Sequence, residues 1–481
     1  MTDNENMGEK ARSSVFWSVS LKAVQQIYQL VVLGVVARIL DPKMFGSMAI
    51  TMSIVLYLNN LTGFGFTNAI VQRETVDKND VNCIFTFNLL LSILFVPLCY
   101  LSAPFLAEQL NNKDIAKLLP QLAIFIPIAT FYNIPMALLR REMHYKLHSI
   151  IDLVQYITYS TFLLLLTLMN YEVWALVYST ISGYVVSVIL LLTLTPWKPR
   201  LLFDIRRLRS FWDYGSWDII RYHINYLDEN AANFIISRYI GSQMLGFYER
   251  AGAVASMPMR KIQMQVSSVI FSVFSRLQND NIRLFHAFSK SFNGIALYTV
   301  PLLLGLLIVS PYFVRILFGD KWTPMVPTLQ ILCLASLFKI LSDVMTSINI
   351  AVNHYRKQTL VNSFSLFIFL CFAYFFIEKG IYGISVASLI ASILNFFFNC
   401  HITSRYFDVT YKLMVVNLAP SFLAGISMVL VYYIVTPFVV NMNVLLQLST
   451  VGTSCISAYV CFIAMVPKYR QNALAAFGFK N

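Results

Sequence analysis

Four polar side chains near the N-terminus, Ser18, Lys22, Gln25 and Gln29, follow one another at steps of four, three and four residues, which stacks them on one face of a helix. A second stripe runs through Asp218, Arg221, Asn225 and Asp228, with Glu229 beside it. A third combines Arg250, Met257, Lys261 and Gln265, adjoined by Arg260, and Pro258 removes a helix hydrogen bond close by. Lys339 and Asp343 stand one turn apart further on. All of these sit in stretches that are otherwise apolar. An ionised side chain at the centre of a bilayer costs on the order of 3 kcal/mol, so such residues belong in a wet cavity or against one another. Cations on a cavity wall attract anions, and the chemistry on offer is therefore anion binding and ion coupling.

Some of these residues also have a plainer reading. Arg260 and Lys261 form an anion site in the inner half of a cavity, or the helix ends earlier and both snorkel to the cytoplasmic interface. Lys339 and Asp343 form a structural ion pair, or a coupling site for a proton or sodium ion. Among six histidines only His223 lies on a stripe, next to Arg221, where a hydrogen bond is the plainer role than proton shuttling. Catalytic signatures are missing: the sequence contains no GxxxxGK[ST], HExxH, GxSxG or DxD. The seven cysteines include no CxxC pair, which argues against a zinc or disulfide framework, and no metal site is expected.

The elements that must carry these stripes follow from composition. Of 481 residues 58% are hydrophobic, 15% aromatic and 12% charged, and the mean hydropathy is +0.65. A soluble domain carries about 25% charged residues, so a soluble enzyme is excluded. Punctuation of the apolar runs predicts an all-α integral membrane protein with about fourteen transmembrane helices. They run over residues 15–38, 44–68, 83–106, 115–138, 148–169, 171–194, 213–238, 244–272, 285–311, 324–350, 358–378, 381–403, 413–436 and 444–466. The polar start, residues 1–14, is a cytoplasmic segment and not a signal peptide, because a full-length span follows with no cleavage site.

The net charge of +13 is read first as topology. With the N-terminus inside, inner segments hold about 22 Lys and Arg residues and outer segments about six, so both termini are cytoplasmic. The excess leaves no case for nucleic acid as a partner. The longest inner loop, Trp197 to Trp212 (WKPRLLFDIRRLRSFW), mixes five basic residues with Leu, Phe and Trp, which suits a helix lying on the anionic inner leaflet. It separates an N-lobe, residues 15–194, from a C-lobe, residues 213–403, with 195–212 as basic amphipathic linker and 404–481 as two further helices and a cytoplasmic tail. A repeat supports the division: ARILDPKMFG (37–46) and SRYIGSQMLG (237–246) share Arg38/Arg238, Met44/Met244 and Gly46/Gly246. Six helices between copies preserve orientation, so the lobes are predicted to be parallel repeats around a central pathway.

Several motifs resemble those of the bacterial polysaccharide flippases in the multidrug/oligosaccharidyl-lipid/polysaccharide exporter superfamily. The branch is the one that exports acidic exopolysaccharides such as colanic and teichuronic acids. ARILDPKMFG is similar to the family's ARxLxPxxFG, and GFGFTNAIVQR (63–73) to its DxGxxxAxVQR, with Thr62 in place of the usual acid. ALLRREMHYK (137–146), YLDENAANFIISRYIGSQMLGFYERA (226–251), the stretch from PMRKIQ to FSRLQND (258–280) and GDKWTPMVPTLQIL (319–332) extend the resemblance in order along the chain.

The resemblance implies a two-lobed helical bundle of the bacterial inner membrane. Its implied substrate is an undecaprenyl-diphosphate-linked oligosaccharide moved between leaflets by alternating access. Cavity cations hold the diphosphate or acidic sugars in such proteins; here the stripes offer Lys22, Arg221, Arg250, Arg260 and Lys261. Gln25, Gln29, Asp218, Asn225, Asp228, Glu229, Lys339 and Asp343 are the polar and ion-coupling candidates. No cofactor is expected beyond a coupling proton or sodium ion. Membrane lipids, and the polymerase and chain-length machinery of an export pathway, are the expected partners. The chain is thus expected to be no enzyme. Competing readings are a multidrug antiporter, which would favour a net acidic cavity, a membrane polymerase or glycosyltransferase, which would need a large outer loop and catalytic acids, and a scaffold of an export complex.

Overall fold

The computed structural model describes residues 28–63, 65–73, 75–277, 280–352, 354–407 and 411–465, and all regular structure among them is helical. The chain divides at Gly246 into two compact units. The first contains α1 (Tyr28–Ile39), α2 (Pro42–Gly63), α3 (Phe66–Gln72), α4 (Lys78–Gln109), α5 (Asp114–Ala123), α6 (Phe125–Arg141), α7 (Tyr145–Leu168), α8 (Val173–Leu194), α9 (Ile205–Tyr239) and the opening residues of α10 (Ser242–Leu277). The second holds the rest of α10, then α11 (Asn281–Leu317), α12 (Val326–Ala351), α13 (Tyr355–Phe376), α14 (Gly380–Phe407), α15 (Tyr411–Val439) and α16 (Val444–Met465).

Each apolar stretch read from the sequence falls on a helix or a pair of helices, the first being described only from Tyr28. Among the described residues nine segments are long and apolar enough to cross a membrane, or ten if α5 and α6 form one span bent by 41°. One of the nine, Arg356–Phe407, contains both α13 and α14. The chain is a multi-pass membrane protein. The bend between α5 and α6 has a covalent cause: Pro127 has no N–H to give the carbonyl of Ala123, and its ring crowds that carbonyl. Between α2 and α3 the helix path breaks at Gly65, whose φ of 70° is left-handed.

The helices α9 and α10 stand apart from the rest. At 35 and 36 residues they are long enough to cross, yet neither is among the segments apolar enough to pass as a span. These are the helices expected at 213–238 and 244–272. The segment before α9 also departs from expectation. Residues 195–204 are not helical, because Pro196 and Pro199 disfavour helix at and before their own positions. The helix begins only at Ile205, where the Asp204 carboxylate accepts from the N–H groups of Arg206 (2.9 Å) and Arg207 (3.4 Å).

Packing within each unit is carried by aromatic and aliphatic side chains. In the first unit Phe85 meets Phe131 and Trp197 edge-on, at 5.1 and 5.5 Å between centroids, and Phe66 meets Phe211 at 6.5 Å. In the second unit Phe288 and Phe292 stack at 5.4 Å in a core shared with Leu341, Met345 and Phe396. The last two helices, α15 and α16, pack on α11, and Tyr459 donates its hydroxyl to the carbonyl of Leu297 at 2.7 Å.

Gly46 and Gly246, shared by the two similar segments, approach each other closely. A Cβ added to Gly46 would overlap the carbonyl oxygen of Ser242 and lie 2.8 Å from the nitrogen of Gly246. A Cβ on Gly246 would overlap the carbonyl oxygen of Pro42 and lie 3.2 Å from the nitrogen of Gly46. The contact is reciprocal: each glycine faces the carbonyl four residues before the other.

Candidate functional site: the polar faces of α9 and α10

Helix α9 carries two polar stripes, and the structure separates them. His223, Tyr226, Asn230, Asn233 and Ser237 recur at three- and four-residue steps and form the side that is packed. Their hub is Ser53 on α2. Its hydroxyl donates to Asn230 Oδ1 at 3.0 Å and accepts from Asn233 Nδ2 at 3.2 Å, while Tyr226 donates its hydroxyl to the Ser53 carbonyl. The ring of Tyr57 lies 5.4 Å from that of His223 and 5.3 Å from that of Tyr226. One turn further on, Ser237 and Arg238 donate to the carbonyls of Leu110 and Glu108, both at 3.2 Å. Interhelical hydrogen bonds of this kind contribute about 0.6 to 2 kcal/mol each in a bilayer. Ser53→Ala, which leaves two asparagines short of a partner, should lower the melting temperature of the purified protein, whereas Ser53→Thr should restore part of the loss.

The second stripe is the one expected from the sequence. Successive residues turn about 100° around a helix, so fixing the Tyr226 face orients it. Asn225 and Glu229 are exposed and Asp228 is half-buried. Asp218 and Arg221 continue the stripe along α9, but their side chains lie outside the described residues. The same holds for Arg260 and Lys261, which stand on α10. Lys22 and Gln25 lie outside the described residues altogether, and Gln29, half-buried on α1, is the one expected member of its stripe in view.

In the second unit the beginning of α10 is fixed by Phe247, edge-on to Trp322 at 5.7 Å, and by Tyr248, whose hydroxyl shares a hydrogen bond with Ser388 at 3.1 Å. Trp322 belongs to the GDKWTP motif, and its burial explains that motif as packing. Arg250 follows, half-buried. Lys339 and Asp343 are both half-buried, one turn apart on α12. The structure therefore gathers Asn225, Asp228 and Glu229 on one face of α9, and sets Arg250 and the Lys339/Asp343 pair on separate helices of the other unit. Among the described residues no group of three His, Cys, Asp or Glu side chains could hold a metal.

Sequence reasoning missed a buried amide network. Asn349 on α12 donates to Gln358 and to Asn399, both at 3.3 Å, and accepts from Thr403 at 3.3 Å. Gln358 continues to Asn362 at 3.1 Å, and Asn399 to Asn395 at 2.9 Å. Buried side-chain amides join helices in apolar surroundings because an unpaired one is costly there.

At the other end of α9 one basic residue, Arg207, is structural, as are Arg141 and Arg73 elsewhere in the unit. Arg207 Nη1 pairs with Asp77 and Asp80, both at 2.8 Å, and those two aspartates form the capping box of α4. Arg141, in ALLRREMHYK, donates to the carbonyls of Ile70 and Arg73 at 2.6 Å, in GFGFTNAIVQR, and Arg73 lies 3.9 Å over the ring of Phe211. Two shared motifs thus hold each other. Arg207 and the N–H of Asp80 keep the Asp77 carboxyl below its ordinary value of 3.8. A carboxyl with a depressed folded value stabilises above its unfolded value and loses that contribution as the pH falls through the folded one. The anchoring should therefore be complete at pH 5 and weaken only as the pH falls through the folded value, which lies below 3.8. Amide exchange at Leu202, whose N–H donates to Thr86 Oγ1 at 2.9 Å, reads this out: its protection should be constant above pH 5 and fall as acid is added below 3.8, and protection already lost between pH 5 and 3.8 would contradict it.

The structure is that of a multi-pass helical membrane protein, two of whose long helices are too polar to pass as spans. More particularly, the family described as polysaccharide biosynthesis protein matches residues 35–327, and the chain belongs to it. The lipopolysaccharide biosynthesis protein WzxC of Escherichia coli (strain K12) is 26% identical over 397 residues, 81% of this chain and 80% of that one. The succinoglycan biosynthesis transport protein ExoT of Rhizobium meliloti (strain 1021) is 26% identical over 343 residues, 70% and 68% of the two chains. In fold the chain is similar to the lipid II flippase MurJ in an inward closed conformation. The TM-score is 0.80 at 15% identity, covering 95% of this chain and 99% of that one.

Proposed function

We propose that the protein flips an undecaprenyl-diphosphate-linked, acidic oligosaccharide repeat unit across the bacterial inner membrane, for exopolysaccharide, capsule or lipopolysaccharide biosynthesis. In this reading the chain crosses the membrane fourteen times, keeps both termini in the cytoplasm, and moves its substrate without chemically altering it. The observation that carries the proposal is the pair α9 and α10, long enough to cross yet too polar for hydrocarbon, inside the region that matches the family. Such helices need a wet or charged partner. The names of WzxC, ExoT and MurJ, which concern lipopolysaccharide, succinoglycan transport and lipid II, support a saccharide linked to a lipid.

The mechanism is alternating access. Lys22, Arg221, Arg250, Arg260 and Lys261 attract the diphosphate and acidic sugars, which would otherwise meet the full desolvation cost in lipid, while the polyprenyl tail stays among the acyl chains. Gln25, Gln29 and Asn225 offer neutral hydrogen bonds to the sugars. Asp218, Asp228, Glu229 and the Lys339/Asp343 pair balance the cation charge or take up a driving proton or sodium ion. The polymerase and chain-length proteins of the pathway are the natural recipients of the product. Deleting the gene in its host and probing the sidedness of extracted lipid-linked oligosaccharide tests the proposal. Accumulation in the inner leaflet, reversed by the intact gene, is expected; normal sidedness would overturn it.

A further inference from the structure

The segment that joins α8 to α9, with the first residue of α9, puts Leu201, Leu202, Phe203 and Ile205 at the surface, with exposures of 75, 38, 57 and 65%. A run of large apolar side chains that the fold leaves uncovered marks a surface that something else covers. The segment is held in place. Trp197, buried at its start, donates Nε1 to Asn82 Oδ1 at 3.2 Å; the Leu202 N–H donates to Thr86 Oγ1 at 2.9 Å; Arg207 is tied to Asp77 and Asp80. Thr86 lies eight residues inside α4, about 12 Å along that helix at 1.5 Å per residue. The segment thus folds back beside α4, a helix long and apolar enough to cross a membrane, and its apolar ridge stands beside the first turns of that helix.

The charges around the ridge are unequal. Lys198 gives its ammonium to the carbonyls of Thr195, at 3.1 Å, and Leu192. Arg207 is engaged by Asp77, Asp80 and, at 3.6 Å, Asp204. Arg200, Arg206 and Arg209 are exposed and form no ion pair among the described residues. Three arginines flanking an apolar ridge match a ligand that is anionic at its head and apolar below it.

We propose that residues 198–209 form an anionic-phospholipid site, in which Leu201, Phe203 and Ile205 enter the acyl region and Arg200, Arg206 and Arg209 contact lipid phosphate. The arginines at 206 and 209 stand in the opening turns of α9, so lipid bound here steadies the start of the helix that carries the candidate stripe. This site is separate from the one that holds the transported head and does not depend on it.

The test uses the purified full-length protein in detergent, incubated with phosphatidylglycerol or with phosphatidylcholine of the same acyl chains, and native mass spectrometry to count retained lipid. Wild type is expected to keep phosphatidylglycerol at concentrations where phosphatidylcholine is lost. Each basic residue near an anionic surface strengthens binding about fivefold, so R200Q/R206Q/R209Q should weaken the tightest phosphatidylglycerol binding on the order of a hundredfold and leave phosphatidylcholine unaffected. L201S/F203S/I205S, with every charge intact, should weaken it too. Equal retention of both lipids by wild type, or wild-type phosphatidylglycerol retention in the triple glutamine variant, would overturn the proposal; wild-type retention in the triple serine variant would overturn the insertion of the ridge. Circular dichroism confirms that the variants fold. Should the triple glutamine variant fail to fold, R200Q, which lies outside any helix, takes its place with an expected fivefold loss.

Discussion

Valine at Gly46 or at Gly246 should lower the melting temperature of the purified protein by several degrees and reduce the yield of folded protein in the membrane. The obstacle to a side chain at either position is backbone: the carbonyl of Ser242 for one and of Pro42 for the other. A neighbouring side chain can change rotamer, but a carbonyl inside a helix cannot move without the helix. Overpacking costs typically about 1 to 3 kcal/mol, and with two backbones in contact the upper end applies. Helix propensity acts in the opposite direction, since glycine is the poorer helix former, so any loss reports the close approach itself. Gly294→Ala on α11 is the control. Its Cβ would meet nothing within 4 Å, and the substitution should be neutral or stabilising. Equal behaviour of the three variants in thermal unfolding would show that the reciprocal contact does not form.

Arg260→Ala with Lys261→Ala should abolish translocation in protein that still inserts and folds. The two adjacent cations stand on α10, within the region that matches the family, on a helix too polar to face lipid along its whole length. A hydrogen bond to a charged group contributes about 1.5 to 3 kcal/mol, so losing two implies a drop of a hundredfold or more in transport. Arg260→Lys with Lys261→Arg keeps the charge and should retain most of the activity, which separates electrostatic attraction from a bidentate geometry that only arginine provides. If both residues merely snorkel to the interface, the double alanine variant will transport normally.

The positions of the helices were legible in the sequence because a run of apolar residues long enough to cross a bilayer is a local property. Faces were less legible. On α9 the charged stripe of Asp218, Arg221, Asn225 and Asp228 stood out, whereas the packed stripe of Tyr226, Asn230 and Asn233 did not, since neutral side chains raise no alarm until their partner Ser53, far away in sequence, is placed beside them. The amide network around Asn349 was hidden for the same reason, its members coming from three helices. Arg207 was counted among topology-setting charges, and its ion pairs with Asp77 and Asp80 became visible only when α4 and α9 met. Two departures were local and could have been read: Pro127 at the bend of α5 and α6, and Pro196 with Pro199, which exclude a helix over the start of the linker. Gly46 and Gly246 stood out as matching positions, although only the fold shows why they admit no side chain.

On the proposed function, this chain alone moves a lipid-linked oligosaccharide between leaflets. The direct measurement is to place the purified protein in liposomes with such a lipid and follow the fraction of its glycan reached by an impermeant oxidant. With wild type the reaction should run past the outer-leaflet pool until nearly all of the glycan is consumed, and with the Arg260→Ala, Lys261→Ala variant it should stop at that pool. A wild-type reaction that also stops at the outer-leaflet pool would show that the chain does not flip the lipid.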